Sequence, residues 1–268
     1  MTALVLAFVL GVGITATKAT TLQQGFVEAR EIINLVITKI IIPGLPIYIF
    51  GTFLNMTFAG QVWRVITTFL GVILVVLALT IVLLLLQYAL AGAIAGRNPF
   101  TSLRTMLPAY ATALGTSSSA ATIPVTLRCA VRMGIRKPVA SFVVPLCATI
   151  HLAGSMTKLT SFAVAVMMVS GWEVNVGAFI GFIFMLGVMM VAAPGVPGGA
   201  VMTATGVLAS MLGFTEPMVS LMIATYVAID SFGTATNVTG DAAIAMLIDK
   251  LSANSLHHED EAPAAIAS

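Results

Sequence analysis

Along most of the chain the apolar positions neither alternate nor recur at helical spacing; they run on for the length of whole segments, and the interruptions carry the information. The first run, Ala3 to Ala16, is shorter than the ~20 residues a membrane span requires, and no Lys or Arg precedes it. A cleaved leader is therefore poorly supported, and the run reads as the end of a span. Glu28, Arg30 and Glu31 then lead into a helix expected from about Ile32 to Ala59, kinked where Pro43 and Pro46 fall. From Val65 to Ala95 only uncharged residues occur, enough for a tilted span.

The basic residues that follow are gathered in a narrow stretch: Arg97, Arg104, Arg128, Arg132, Arg136 and Lys137. The positive-inside rule makes these loops cytoplasmic. The segment from Arg104 to Arg128 has basic charge at both ends and Gly115-Thr116-Ser117-Ser118-Ser119 near its middle, which predicts a re-entrant helical hairpin with a serine tip. Pro138 to Ser170 predicts a span that ends at Gly171-Trp172-Glu173, a loop without Lys or Arg and therefore extracellular. Val176 to Leu212 is broken by Pro194-Gly195-Val196-Pro197-Gly198-Gly199, which no continuous helix holds at its centre, and predicts a second hairpin entered from outside. Met218 to Ile248 predicts a last span returning to Asp249-Lys250 and a cytoplasmic C-terminus. Hairpin followed by helix thus occurs twice, from opposite sides, which is the inverted-repeat pattern of secondary transporters.

Composition narrows this further. Of 268 residues, 59% are apolar and 8% charged, against about 45–50% and about 25% in soluble domains. Soluble enzymes and disordered chains are excluded, and a net charge of +2 gives no field for nucleic acid. Cys129 and Cys147 offer no disulfide framework or metal spacing and read as reduced packing residues. The methionines read as gap fillers, Trp63 and Trp172 as interfacial anchors, and His257 and His258 as solvated tail residues.

Ionisable groups inside spans are costly and therefore candidates for function. Between Pro138 and Ile248 the acids within spans are Asp230 and Asp241 and the strong base is Lys158. Offsets of four, seven and eleven residues place Asp230, Thr234, Asn237 and Asp241 on one helical stripe. Such a face can simply hydrogen-bond to neighbouring helices, the better reading for Thr234 alone. Two carboxylates and an amide opposite two broken tips point instead to an ion or substrate. A carboxylate suits a cation or an ammonium group, and backbone N–H groups with hydroxyls at half-helix ends suit an anion.

Three motifs carry a family resemblance: Thr116 to Thr126 with its serine run and Ala121-Thr122-Ile123-Pro124-Val125-Thr126, the Val196-Pro197-Gly198 tip, and Asn237-Val238-Thr239-Gly240-Asp241. In order from about Val5 to Lys250 the chain resembles the dicarboxylate/amino acid:cation symporters, the family of glutamate and neutral amino acid transporters. The resemblance implies an all-α membrane protein with two inverted re-entrant hairpins, glutamate-transporter-like, beginning within the fourth helix and lacking the first three. It implies residues 1–62 as partial trimerisation scaffold and 63–250 as transport domain. That domain comprises a helix, a hairpin at 104–137, a broken helix at 138–170, a hairpin at 176–213 and a helix at 216–250, and 251–268 form a cytoplasmic tail.

By resemblance, Ser118, Ser119, Ser155, Thr234, Asn237 and the Val196 tip backbone bind substrate, with Asp230 on its amino group. Asp241 and Asn237 with carbonyls near Cys147 and His151 form one sodium site, and Thr149 with carbonyls around Ala193 another. No cofactor is implied; Na+ is the coupling ion, with H+ as an alternative, and a homotrimer in the cell membrane is the expected assembly.

The departures set expectations of their own. Where members that carry acidic substrates have an arginine, this chain has Gly233, which favours a small neutral amino acid or, alternatively, simply close helix packing. The family's Asn-Met-Asp-Gly-Thr stands here as His151-Leu152-Ala153-Gly154-Ser155, and Ala153 removes an acid that helps bind sodium. Lys158, seven residues beyond His151, shares its face on a regular helix. Either Lys158 or a protonated His151 substitutes for a bound cation, or Lys158 snorkels or pairs with an acid such as Asp241. The function expected is cation-coupled symport of a small neutral amino acid by an elevator movement. Its rivals are a dicarboxylate or proton-coupled symporter of the same fold, a non-transporting fragment and, more weakly, an intramembrane hydrolase using a serine with His151 and Asp241.

Overall fold

The computed structural model describes residues 2–36, 39–40, 43–44, 46–47, 50–51, 54, 57 and 62–253. They divide between Gly60 and Gln61 into two compact units. In the first, α1 (Thr2–Thr17) and α2 (Thr20–Val36) are joined at Lys18, which has a positive φ of 52°. The expected helix from Ile32 thus starts earlier, at Thr20; its Pro43–Pro46 kink and its end at Ala59 lie largely outside the described residues.

The second unit opens with α3 (Val62–Ala95), whose Phe69–Ala95 portion is long and apolar enough to cross a membrane. Phe69, Val76, Tyr88 and Ala91 face inward, while Leu70, Leu74, Ile81 and Leu86 on other faces are exposed, as suits contact with lipid. A short α4 (Pro99–Thr105), capped by Asn98, leads into the first hairpin, α5 (Leu107–Thr116) and α6 (Ser119–Arg132), whose arms pack on each other. Its two-residue tip turns because Ser117 adopts the left-handed region (φ 48°) and Ser118 is extended, its Oγ accepting from Ala121 N at 3.3 Å.

The expected span from Pro138 is two helices, α7 (Lys137–Ile150) and α8 (Ala153–Val169), parted by His151 and Leu152. The second hairpin, α9 (Val176–Met190) and α10 (Gly199–Leu212), also has packed arms. Gly198 at its tip has φ 73°, a conformation that costs little only without a Cβ.

The last segment is not a continuous span: α11 (Glu216–Ala228) and α12 (Asp230–Leu251) meet at Ile229 with a bend of 64°. From Gly233 to Ala243 every residue of α12 is buried, against α3, α5, α6, α7 and α8. Its Gly, Ala and Thr residues let five neighbours approach closely, as small side chains do in membrane bundles.

Candidate functional site

The buried stripe on α12 is where the polar residues converge. Asn237, 2% exposed, sits opposite the start of α8. Its Oδ1 accepts from Gly154 N at 2.7 Å and Ser155 N at 3.2 Å, and its Nδ2 donates to Ser155 Oγ at 2.9 Å. The helix break at His151–Leu152 leaves these N–H groups without intrahelical partners, and Asn237 supplies the cap from another helix.

Asp230, at the first turn of α12, has both oxygens engaged. Oδ1 accepts from Lys158 Nζ at 2.9 Å and Oδ2 accepts from Gly198 N at 2.7 Å. Lys158 is fully buried; it also reaches the carbonyls of Asp230 (3.2 Å) and Ile229 (3.4 Å) and lies 3.8 Å from the Tyr226 ring centroid. A carboxylate, two carbonyls at a helix break and an aromatic face together replace the water an ammonium loses. Lys158 therefore pairs with Asp230, not Asp241.

Asp241, 1% exposed, is met by His151, whose Nδ1 is 2.8 Å from Oδ1. Gln87 on α3 lies behind the ring, Nε2 to Nε2 at 3.3 Å. A neutral imidazole satisfies this arrangement by donating through Nδ1–H and accepting from the Gln87 amide. The expected shared face of His151 and Lys158 is overturned because His151 stands outside both helices, so the regular seven-residue offset does not apply.

A narrow cavity joins the tips to this stripe, lined among others by Ser117, Ser119, Ser155, Val196, Asp230 and Asn237. Thr234 and Tyr226 also line it. Ser118 instead donates its Oγ to Gly195 O at 2.8 Å and so links the two tips. Thr149 is exposed, with Oγ1 donating to Leu146 O, and Ala193 is buried at the second tip. Cys147 is buried, and its carbonyl accepts from His151 N at 2.8 Å. Ala153 opens α8. Gly233 lies against Lys158: a Cβ there would collide with Lys158 Cε and stand 2.6 Å from Nζ.

Ser117, Tyr226 and Gln87 are functional candidates that the sequence pattern does not single out. Ser117 stands in the serine run, next to the two serines that the family motif marks. Tyr226 and Gln87 carry no local signal, since their roles arise from the bend at Ile229 and the break at His151.

Among the described residues, no three His, Cys, Asp or Glu side chains cluster as a metal site. Sodium, however, takes oxygen from carbonyls, amides and single carboxylates. Asp241 Oδ2, Gln87 Oε1 and Thr239 Oγ1 are buried without hydrogen-bond partners, oxygens of the kind a hard cation takes.

The model of the sodium:dicarboxylate symporter family matches residues 1–251. The chain belongs to that family. Membership makes it a multi-pass membrane protein with the expected glutamate-transporter-like all-α fold. Excitatory amino acid transporter 4 of Mus musculus is 34% identical over 165 residues, 61% of this chain and 29% of the relative. Excitatory amino acid transporter 1 of Homo sapiens is 34% identical over 165 residues, with 61% and 30% covered. The Rattus norvegicus form of transporter 1 is 31% identical over 219 residues, with 81% and 40% covered. The chain thus spans between 29% and 40% of the length of these curated relatives, which are named transporters and not enzymes.

Proposed function

We propose that this chain is the substrate-binding part of a sodium-coupled symporter for a small carboxylate-bearing solute, moved by an elevator displacement of residues 63–250. The observation that carries this reading is the meeting of two helical tips with the buried stripe of α12 around one cavity. Backbone N–H groups at the starts of α6 and α10, with the hydroxyls of Ser117 and Ser119, are suited to the substrate carboxylate. Asp241, with its unpartnered oxygen and the carbonyl of Cys147 near His151, is suited to the coupling ion. Thr149 and the carbonyls around Ala193 remain the second ion site of this proposal, and a homotrimer its assembly. The second tip, fastened to Asp230 through Gly198, would act as the extracellular gate.

With Gly233, the stretch of α12 from Asp230 to Asp241 carries no side-chain cation of its own, which supports a substrate with no second carboxylate. A small neutral amino acid meets that condition, and so does a small carboxylate without an ammonium group. The test is proteoliposome uptake with and without an inward sodium gradient, comparing L-alanine, L-serine, L-lactate, L-glutamate and succinate. Uptake of a small monocarboxylate driven by sodium is expected. Equal uptake without the gradient would defeat the coupling, and preference for L-glutamate would defeat the Gly233 argument.

A further inference from the structure

We infer that Lys158 is a resident counter-ion that fills the ammonium position of the site, so that the substrate is a small carboxylate carrying no ammonium group. The inference rests on the symport reading above and specifies its substrate class. Asp230 is the acid expected to take a substrate's amino group, but in this chain both its oxygens are committed, Oδ1 to Lys158 Nζ at 2.9 Å and Oδ2 to Gly198 N at 2.7 Å.

The fit around Lys158 marks the pair as part of the fold. The side chain is 0% exposed, and its ammonium is completed by the carbonyls of Ile229 and Asp230 and by the face of Tyr226. Gly233 makes the space: a Cβ there would overlap the end of the lysine. Chain-borne groups thus surround the ammonium with oxygens and an aromatic ring, as a receptor for a substrate amine would. An incoming ammonium would have to expel this group from a dry position into apolar surroundings, where an unpaired charge is costly. A substrate hydroxyl or methyl group at the same end asks for no such displacement.

The pair also answers an objection to amine-free substrates, namely that Asp230 would repel a carboxylate. With Lys158 on it, Asp230 contributes no net charge to the cavity, and the backbone N–H groups of the tips remain to receive the anion.

The test uses the purified protein in proteoliposomes with a matched pair, L-alanine and L-lactate, which differ by ammonium against hydroxyl. Sodium-driven uptake by the unaltered protein should favour L-lactate by about tenfold or more, the low end of the roughly 10- to 200-fold that one small group decides in a fitted site. Lys158→Met exposes Asp230 and should move the ratio toward L-alanine by a similar factor. The double variant Lys158→Met/Asp230→Asn, which leaves no buried charge unpaired, should keep the preference for L-lactate. Preference for L-alanine by the unaltered protein would overturn the inference without reference to any variant. An unchanged ratio in folded Lys158→Met would do the same. Absence of sodium-driven uptake of every solute would instead overturn the symport reading. The inference would then be decided by thermal stabilisation of the purified protein with the same two probes, where a larger shift with L-alanine counts against it.

Discussion

Asp230 and Asp241 lie on one face of one helix, both buried, and the chain treats them differently. Asp230 holds a lysine ammonium and a backbone N–H, so each oxygen has a partner. Asp241 holds an imidazole on one oxygen, while the other is buried without one. The first is a closed electrostatic circuit supplied by the protein; the second retains an open valence suited to a cation. The difference comes from what faces them. Asp230 looks onto the bend at Ile229 and the interior of α8, whereas Asp241 looks onto the broken joint between α7 and α8, which His151 fills.

The largest test of this contrast removes each partner. Lys158→Met should lower stability by about 3–5 kcal/mol, since it leaves a buried carboxylate unpaired, and adding Asp230→Asn should recover most of that loss. His151→Leu should cost less, about 1–3 kcal/mol, because it removes a hydrogen bond from an acid that already has one unpartnered oxygen. Thermal melts of the purified variants report both, and a greater cost for His151→Leu would reverse the comparison.

Asn237 lies between the two acids and serves neither, so Asn237→Ala measures the scaffold they share. Loss of its three hydrogen bonds at the start of α8 should cost roughly 2–3 kcal/mol, and Asn237→Asp should restore part of it by keeping an acceptor. Full stability of Asn237→Ala would mean that α8 is capped by other means.

The smallest effects come from the glycines beside each acid. Gly233→Ala pushes on Lys158, and Gly240→Ala would bring a Cβ within 2.6 Å of His151 Cε1 and 2.7 Å of Gln87 Oε1. Each should cost about 1–2 kcal/mol by overpacking. They should separate in function: Gly233→Ala should alter substrate choice, and Gly240→Ala the sodium concentration for half-maximal uptake. Identical uptake profiles would erase the distinction.

The stripe itself was legible, because four polar residues at helical spacing in an apolar run are too costly in hydrocarbon to stand there without partners. The hairpins were legible from Gly115–Ser119 and Pro194–Gly199, where a continuous helix is chemically disfavoured. The partner of Lys158 was not. The face expected for Lys158 came from counting residues along a regular helix from His151, and the helix stops at Ile150 and restarts at Ala153. Ser118 taught the same lesson on a smaller scale: within a run of three serines, the left-handed Ser117 decides which hydroxyl faces the cavity and which one ties down Gly195.

At the opposite end of α12, Asp249 receives Arg136 Nε at 2.7 Å and Arg136 N at 3.2 Å, with Arg97 Nη2 at 3.6 Å. Arg97 also donates to the carbonyls of Met133 and Gly134, and Arg136 to Asp249 O. Together with the bonds at Asp230, these pin both ends of α12 to different elements. The helix has no freedom to slip by one residue along its axis, because a shift of about 1.5 Å would stretch contacts at both ends at once. Its register is locked to Arg97 and Arg136 at one end and to Lys158 and Gly198 at the other.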